Sequence, residues 1–268
     1  MRLGLSGKGL ILKIIATVLA ACVATAAFST RAEERISLPS RPGVETRFVY
    51  QAVAQPAAQV ILFEGGNGIP GGSNPGFLDT SRKVFSDQNI SYAMFMPPSD
   101  HASGLQDTRG TTHSNYRVSD DHTRDVEPII AWLRQKSQAP VWLAGVSAGT
   151  VSVGWLGTRV REPVDGLVFS SSILRGTNRV GTLGLQNIRV PTLITHHKED
   201  GCEHNPPFMV QVFTKFLPNE TKREIRLFEG GGVRGPDPCK QGTHHTYYGI
   251  EREVATAITV FIKDNSQR

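Results

Sequence analysis

The sequence lacks the features expected of a nucleic-acid-binding or repeat protein. Aromatic residues make up only 7% of its 268 residues, and there are only three cysteines. A surface that binds nucleic acid would be expected to carry basic residues interleaved with aromatics, and no such run is present. No internal repeat, low-complexity tract or linker divides the chain. With 39% hydrophobic and 20% charged residues, the composition is that of an ordinary globular protein.

The one long apolar run lies near the start and is short for a membrane span. Residues 14–28 are uncharged and apolar, whereas a transmembrane helix needs about 20 residues. Arg2, Lys8 and Lys13 precede this run, and a basic region followed by an apolar region is typical of an export signal. We therefore predict that residues 1–32 are an export signal and that the protein is exported, as a periplasmic or secreted protein.

A second interpretation of this segment stays open. Residues 19–22 (LAAC) resemble a bacterial lipobox, in which case a lipid on Cys22 would anchor the protein to a membrane. Removing residues 1–32 takes away four basic residues and no acid, so the formal net charge falls from +5 to +1. The basic character of the chain comes partly from the signal, and nucleic acid is not predicted as a partner.

After this segment, apolar strand-like runs alternate with segments that are compatible with helix. Strands are predicted at residues 36–38, 46–53, 58–63, 91–96, 141–145, 164–169, 190–195 and 224–228. Helices are predicted at residues 81–88, 150–160, 207–216 and 250–262, and from Ser119 onward. Ser119 is expected to cap this last helix, whose apolar face is predicted to be Val126, Ile129, Ile130 and Leu133. This alternation predicts an α/β fold with a mostly parallel central sheet and helices on both faces. We expect residues 33–268 to form a single domain.

Residues 145–149 (GVSAG) lie between a predicted buried strand and a predicted helix. Gly145 and Gly149 leave room for a tight turn, because a Cβ at either position would collide with a neighbouring element. Such a turn holds the Ser147 hydroxyl at the end of the strand. It also directs the Ala148 amide and the start of the helix toward developing negative charge.

This strand, G-x-S-x-G turn and helix resemble the nucleophile elbow of the α/β-hydrolase superfamily. The resemblance extends over residues 36–262 and implies a serine nucleophile at Ser147, with an acid and then a histidine later in the chain. Residues 191–200 resemble the P-x-L-x-x-H-x-x-x-D pattern of the family's acid loop. The match puts His196 at the pattern's histidine and Asp200 at the acid, with Glu199 as the alternative.

The histidine and the oxyanion donors also follow from the resemblance. Residues 245–249 resemble the family's H-x-[FY]-x-G run, which implies His245 as the base, with His244 as second choice. Ala148 supplies one oxyanion amide. Residues 64–66 take the place of the family's His-Gly-x, which implies Gly66 as the second donor, with Asn67 as the alternative. Glu64 departs from the family's usual histidine.

The resemblance implies hydrolysis of an ester, thioester or lactone of a small molecule through an acyl-enzyme, with no cofactor and no metal. Only residues 176–189 separate two late strands, so there is little room for a lid and an open site is expected. Two polar, glycine-rich loops, residues 99–116 and 230–241, are expected to line the pocket. Two rival functions stay open. One is a non-catalytic binding protein on this fold. The other is a metal-dependent hydrolase, although adjacent histidine pairs lack the usual ligand spacing. The sequence does not indicate an oligomeric state.

The two cysteines after the signal are predicted to form a disulfide. An exported chain can oxidise its cysteines. Cys202 comes two residues after Asp200 and Cys239 six residues before His245, so the two loops must approach each other if the acid and the histidine meet. We therefore predict a Cys202–Cys239 bridge.

Overall fold

The computed structural model of the protein describes residue 1 and residues 32–71, 75–105 and 115–266. Most of the predicted export signal, including Cys22, lies outside these ranges. Signal cleavage and lipidation therefore stay predictions. Within the described ranges, no helix combines the length and the apolar character that crossing a membrane would need.

Eight strands form one sheet. They are β1 (Glu34–Arg41), β2 (Val44–Gln51), β3 (Ala58–Phe63), β4 (Ile90–Met96), β5 (Val141–Val146), β6 (Gly166–Ser170), β7 (Thr192–His197) and β8 (Arg223–Phe228). Their order in the sheet is β1-β2-β4-β3-β5-β6-β7-β8. β2 pairs antiparallel with β1 and β4, and all other pairs are parallel.

Helices cover both faces of this sheet. They are α1 (Phe77–Asp87), α2 (Asp120–Lys136), α3 (Gly149–Leu156), α4 (Val210–Phe213) and α5 (Glu251–Asp264). α2 and α3 pack into one apolar core, and α1 and α5 pack into a second core on the opposite face. Because both faces are covered, β3 and β5 to β7 are buried along their whole length. The predicted fold class is confirmed.

The start of α2 follows from its sequence. Ser119 caps the helix, since its side-chain oxygen accepts the His122 amide at 3.2 Å, and Asp120 and Asp121 occupy the first turn. Acids there are stabilised by the partial positive charge of a helix N-terminus. The apolar face predicted from the periodicity is buried in full: Val126, Ile129, Ile130 and Leu133.

Two element boundaries differ from the sequence-based expectation for identifiable reasons. α1 begins at Phe77, four residues before the predicted start, because the distant Glu64 carboxylate accepts the Asp79 amide in its first turn at 3.3 Å. The predicted helix at residues 207–216 is broken into a 3₁₀ turn, the four-residue α4 and a second 3₁₀ turn. Pro206 and Pro207 supply no amide hydrogens, and the β-branched residues that follow favour helix weakly.

Because β3 to β8 run parallel, their carboxyl ends meet at one edge of the sheet. The loop after β3, the turn after β5, the loop after β7 and the segment before α5 all lie at this edge. In open α/β sheets this edge is where ligands bind.

Candidate active site

The turn after β5 is held by backbone contacts. Ser147 has a φ of +51°, a left-handed conformation that non-glycine residues adopt rarely. Its amide donates to the Ser170 carbonyl at 3.0 Å, and its carbonyl accepts the Thr150 amide at 2.9 Å. A Cβ on Gly145 would lie 2.4 Å from the Gly149 carbonyl oxygen, and one on Gly149 would lie 2.0 Å from the Phe63 carbonyl oxygen. Both glycines are therefore required, as the sequence predicts.

Asp200 and His245 form a buried pair. The His245 Nδ1 lies 2.9 Å from Oδ2 of Asp200, and the two side chains are 2% and 0% exposed. The other carboxylate oxygen accepts the Cys202 amide at 2.9 Å. Since Nδ1 faces a carboxylate, it carries the proton and donates it, which leaves the Nε2 lone pair of His245 free to act as a base.

His196 also lies close to the Asp200 carboxylate. Its Nε2 is 2.9 Å from the Asn205 carbonyl oxygen and 3.6 Å from Oδ2 of Asp200. Burial lowers the pKa of His196, so this ring is neutral at physiological pH. His196 therefore packs against Asp200 without adding a second positive charge to the pair.

The two alternative residues lie outside this pair. The Glu199 side chain is 69% exposed. The His244 Nδ1 donates to the Glu199 carbonyl at 3.2 Å, and the His244 ring stacks on His197 with centroids 4.2 Å apart. Neither alternative forms the acid–histidine hydrogen bond that Asp200 and His245 make.

Two further residues fix the segment that carries His245. The Ser171 hydroxyl donates to the His245 carbonyl at 2.9 Å. Tyr247, fully buried with a φ of +57°, has its hydroxyl 3.1 Å from Oγ1 of Thr195 on β7. Sequence reasoning noticed Tyr247 only as the aromatic position of a motif. It missed Ser171, whose one signal is its place directly after β6.

The predicted disulfide is present: Cys202 is bonded to Cys239, 37 residues later. Cys202 also donates its backbone amide to Asp200. The bridge therefore ties the loop that carries the acid to the segment that leads to His245.

A cavity of about 330 Å³ at the strand ends brings the predicted residues together. Ser147, His245, Gly66 and Ala148 all line it, and Asn67 lies on its wall as well. Its walls also include the following residues: Glu64, Gly65, Ile69, Phe77, Ile173, the disulfide, His204, Asn205, Lys240 and Gln241. A larger groove of about 560 Å³ runs along the outer side of α2, where Arg124, Glu127 and Arg161 line it. No sequence-predicted site residue lies in that groove.

The sequence predicted that residues 99–116 and 230–241 would line the pocket, and this is only partly correct. Of these two loops, only Cys239, Lys240 and Gln241 are among the described residues on the cavity wall. Residues 106–114 lie outside the described ranges. The loop after β3, which carries the predicted oxyanion donors, forms another part of the wall. Cys202, His204 and Asn205 also line it, and the sequence had not assigned these residues to the pocket.

Glu64 fills the space behind the loop after β3. It is 5% exposed, and burial, with the nearby Asp79 carboxylate, raises its pKa to about 7. A Cβ on Gly76 would lie 1.5 Å from Oε1 of Glu64, so the carboxyl group is enclosed by the start of α1. The acid that stands in place of the family's histidine thus joins this loop to α1.

A cluster of two histidines and a glutamate has the residue types of a metal site, but both ring nitrogens of one histidine are already hydrogen-bonded. The ligand atoms of His197, Glu199 and His244 lie within 4.8 Å of one another. However, the His197 Nδ1 accepts the Glu199 amide at 3.0 Å, and its Nε2 donates to the Gly230 carbonyl at 2.9 Å. His197 therefore has no lone pair left for a metal, and the cluster is better explained as loop structure.

Comparisons with known proteins support the fold. No family model and no curated protein matches the sequence. Among solved structures, dienelactone hydrolase from Anabaena variabilis matches with a TM-score of 0.67 and 13% identity, covering 88% of this chain and 99% of that one. A cold-adapted esterase from an Arctic intertidal metagenomic library gives 0.61 and 14%, with 90% and 100% covered. An esterase from Pyrococcus furiosus gives 0.61 and 11%, with 88% and 92% covered. The chain therefore has the α/β-hydrolase fold.

Proposed function

We propose that the protein is a serine hydrolase of the carboxylesterase type, with Ser147 as nucleophile, His245 as base and Asp200 as the orienting acid. The observation that carries this proposal is the buried Asp200–His245 pair, whose histidine lines the same cavity as the Ser147 turn. A serine hydroxyl needs a neighbouring base, and the base needs a partner that fixes its tautomer. The esterases and the dienelactone hydrolase of the same fold agree with this chemistry.

In the first half of the reaction, the Ser147 oxygen attacks the carbonyl carbon of the substrate while its proton passes to Nε2 of His245. Asp200 stabilises the imidazolium that forms. The amides of Ala148 and Gly66, or of Asn67 in place of Gly66, stabilise the negative oxygen of the tetrahedral intermediate. The intermediate then collapses, His245 returns the proton to the leaving alkoxide or thiolate, and the acyl group stays on Ser147.

In the second half, a water molecule takes the place of the leaving group. His245 accepts a proton from this water as it attacks the acyl carbon, and the same amides stabilise the second tetrahedral intermediate. Breaking the bond to Ser147 returns the proton to the serine and releases the carboxylic acid. No cofactor is needed for any of these steps.

The cavity limits the substrate to a small molecule. About 330 Å³ lies at the low end of the range for ligand pockets. Its wall combines apolar side chains from Ile69, Phe77 and Ile173 with the polar groups of Lys240 and Gln241. An ester, thioester or lactone with a short or polar acyl group fits such a wall better than one with a long alkyl chain.

The direct test of the reaction is ester hydrolysis by wild-type protein and by the Ser147→Ala variant. We expect turnover of p-nitrophenyl esters that is highest for short acyl chains, and a fall in kcat of about 10⁴-fold or more in the variant. Circular dichroism must show that the variant is folded. Turnover that survives in a clean preparation of Ser147→Ala would rule out this function.

We also propose that the protein works outside the cytoplasm, with residues 1–32 removed or, as the alternative, with a lipid on Cys22. The disulfide supports this proposal, since oxidising compartments permit disulfides and the cytosol disfavours them. Sequencing the N-terminus of the exported protein tests it. A mature chain that starts at Glu33 supports cleavage by a signal peptidase, and one that starts at a modified Cys22 supports the lipoprotein.

A further inference from the structure

A buried arginine lies behind the wall of the cavity that carries Ser147. Arg117 belongs to the 3₁₀ segment Asn115–Val118, just before α2, and it is 1% exposed. Among the described residues, no carboxylate lies within ion-pair distance of its guanidinium, whereas Arg41, Arg82 and Arg161 each have such a partner. A buried charge without a paired carboxylate is costly. The hydrogen bonds that the guanidinium makes must therefore offset this cost.

Those contacts are with the two elements that carry the proposed oxyanion donors. The Nη2 of Arg117 donates to the Glu64 carbonyl at 3.0 Å and to the Gly66 carbonyl at 3.3 Å. Its Nη1 donates to the Ser152 hydroxyl at 2.8 Å. Ser152 lies one turn into α3, the helix that starts directly after Ala148. One side chain thus joins the loop after β3 to the helix after Ser147.

Because a peptide unit is planar, the contacts of Arg117 with the carbonyls of this loop also determine the directions of the loop's amides. A peptide unit is planar and trans, so fixing its carbonyl oxygen fixes the N–H on the opposite side. The carbonyls of Glu64 and Gly66 that Arg117 holds belong to the units that carry the Gly65 and Asn67 amides. The Gly66 amide lies in the unit between them, whose carbonyl accepts the Gly68 amide at 2.9 Å. All three successive amides of this loop are therefore fixed in direction.

The positive charge of the guanidinium also favours the binding of an oxyanion by these amides. Burial lowers the pKa of Arg117 only to about 10, so the group stays positive at neutral pH. A cation on the carbonyl side of a peptide unit polarises its N–H and favours negative charge beyond it.

We propose that Arg117 is a positioning residue for the oxyanion hole, which holds the loop of Gly66 and Asn67 in register with Ala148. This inference rests on the proposed function, because an oxyanion hole exists only if the protein catalyses acyl transfer. Arg117 does not touch the substrate, and its effect passes through the amides that do.

The test compares Arg117→Met with Arg47→Met. Arg47 is a matched control, since its guanidinium also bridges two backbone carbonyls, those of Pro97 and Pro98, at 2.7–3.1 Å, and Arg47 is not part of the cavity wall. We expect Arg117→Met to lower kcat by about 10²-fold with little change in KM, because an oxyanion hole acts in the transition state. Arg47→Met is expected to keep kcat within about twofold.

Rates must be expressed per titrated active site, and a boronic acid that forms a tetrahedral adduct supplies a second readout. We expect the boronic acid Ki of Arg117→Met to rise by about the same factor as kcat/KM falls. A residue that only stabilises the fold would instead lower the unfolding midpoint and the fraction of titratable sites, with kcat per site unchanged. That result would overturn the inference.

Two milder variants cover the case in which Arg117→Met does not fold. Arg117→Lys keeps the charge but loses the planar fork that reaches two carbonyls and a hydroxyl. Ser152→Ala removes only the bond to α3. The expected order of kcat is wild type, then Ser152→Ala, then Arg117→Lys, and equal values in all three would overturn the inference. Absence of ester turnover in the wild type would instead point to failure of the proposed function, and this inference would fall with it.

Discussion

The two halves of the candidate site are held by different kinds of contact. The turn around Ser147 is fixed by backbone atoms: the carbonyls of Phe63, Gly149 and Ser170 surround it, and the glycines leave no room for a side chain. The Asp200–His245 half is fixed by side chains and by a disulfide, with contributions from Ser171 and Cys202. The residues of the first half lie together in one turn that packs against neighbouring strand ends, whereas the acid and the histidine of the second come from segments some 45 residues apart.

This difference determines which kind of mutation each half can tolerate. The shape of the Ser147 turn should be sensitive to substitutions that add atoms to the glycines or move the backbone. Around His245, removing one hydrogen-bonding side chain or the disulfide should matter, because side-chain contacts and the disulfide hold these two loops together.

The largest effect is expected in the side-chain half. His245→Ala and Asp200→Asn should each lower kcat by about 10⁴-fold, because one removes the base and the other favours its wrong tautomer. His244→Ala and Glu199→Gln are the matched controls, since these neighbours lie outside the buried pair. Steady-state kinetics on one p-nitrophenyl ester compares each variant with its control. If a control proves to be the damaging member of its pair, the register of that loop is off by one.

The disulfide should stabilise the same half. It closes a loop of 37 residues, which the chain-entropy model values at about 4 kcal/mol. Urea unfolding of the protein with both Cys202→Ala and Cys239→Ala should show a loss of this size. Gly145 and Gly149 are unchanged in this variant, so labelling of Ser147 by an active-site-directed fluorophosphonate should persist under native conditions. An unfolding free energy equal to that of the wild type would contradict the prediction.

Glu64 is a buried ionisable group on the Ser147 side of the site, and it should make stability depend on pH. Its pKa is raised from 4.5 to about 7 in the folded state, so between these values the folded protein holds a proton that the unfolded chain has released. The free energy of unfolding should therefore fall by about 3 kcal/mol as pH rises from 4.5 to 7.

Glu64→Gln should remove this dependence, because the amide does not titrate. Chemical unfolding at several pH values measures this dependence. A pH well below 4.5 serves as an internal control, since the Glu64 side chain is then largely uncharged in both the folded and the unfolded wild type. The variant should be more stable than the wild type above pH 7. Parallel curves for the two proteins across the range would contradict the raised pKa.

The smallest effect tests the backbone half. Gly149→Ala should destabilise the protein by about 1–3 kcal/mol, because its Cβ meets the Phe63 backbone at 2.0 Å. Gly154→Ala in the same helix is the control. Its Cβ would lie 2.8 Å from Cδ1 of Leu183 and 3.3 Å from Cδ2 of Leu185, which are ends of side chains and not backbone. Because alanine also favours helix, a change of less than about 1 kcal/mol is expected. Equal thermal midpoints for both variants would show that the turn is not sterically fixed.

The same contrast explains how much could be predicted from the sequence. The turn at Ser147 and the cap at Ser119 were predictable because the residues that identify each lie together in the sequence. The carbonyls of Phe63 and Ser170 that hold the turn are distant in the chain. The sheet was predictable from its buried apolar runs, and the disulfide from its place beside Asp200 and His245.

Other features could not be read from the sequence because their causes are distant in the chain. Arg117 lies in a polar stretch, where an arginine would be expected to face solvent, yet it is buried against the loop after β3, some 50 residues away. The early start of α1 depends on Glu64, and the anchoring of His245 depends on Ser171. The sequence favoured Asp200 as the acid but left Glu199 open as the alternative, because only the folded loop shows which carboxylate is buried.

The most direct test of the central claim is to locate the residue that an active-site-directed fluorophosphonate modifies. Mass spectrometry of the protein after labelling should find one adduct, on Ser147, in the peptide that follows β5. The His245→Ala variant should label far more slowly, since its serine lacks the base. An adduct on another residue, or no adduct on a protein that is folded and disulfide-bonded, would contradict the assignment of Ser147 as the nucleophile.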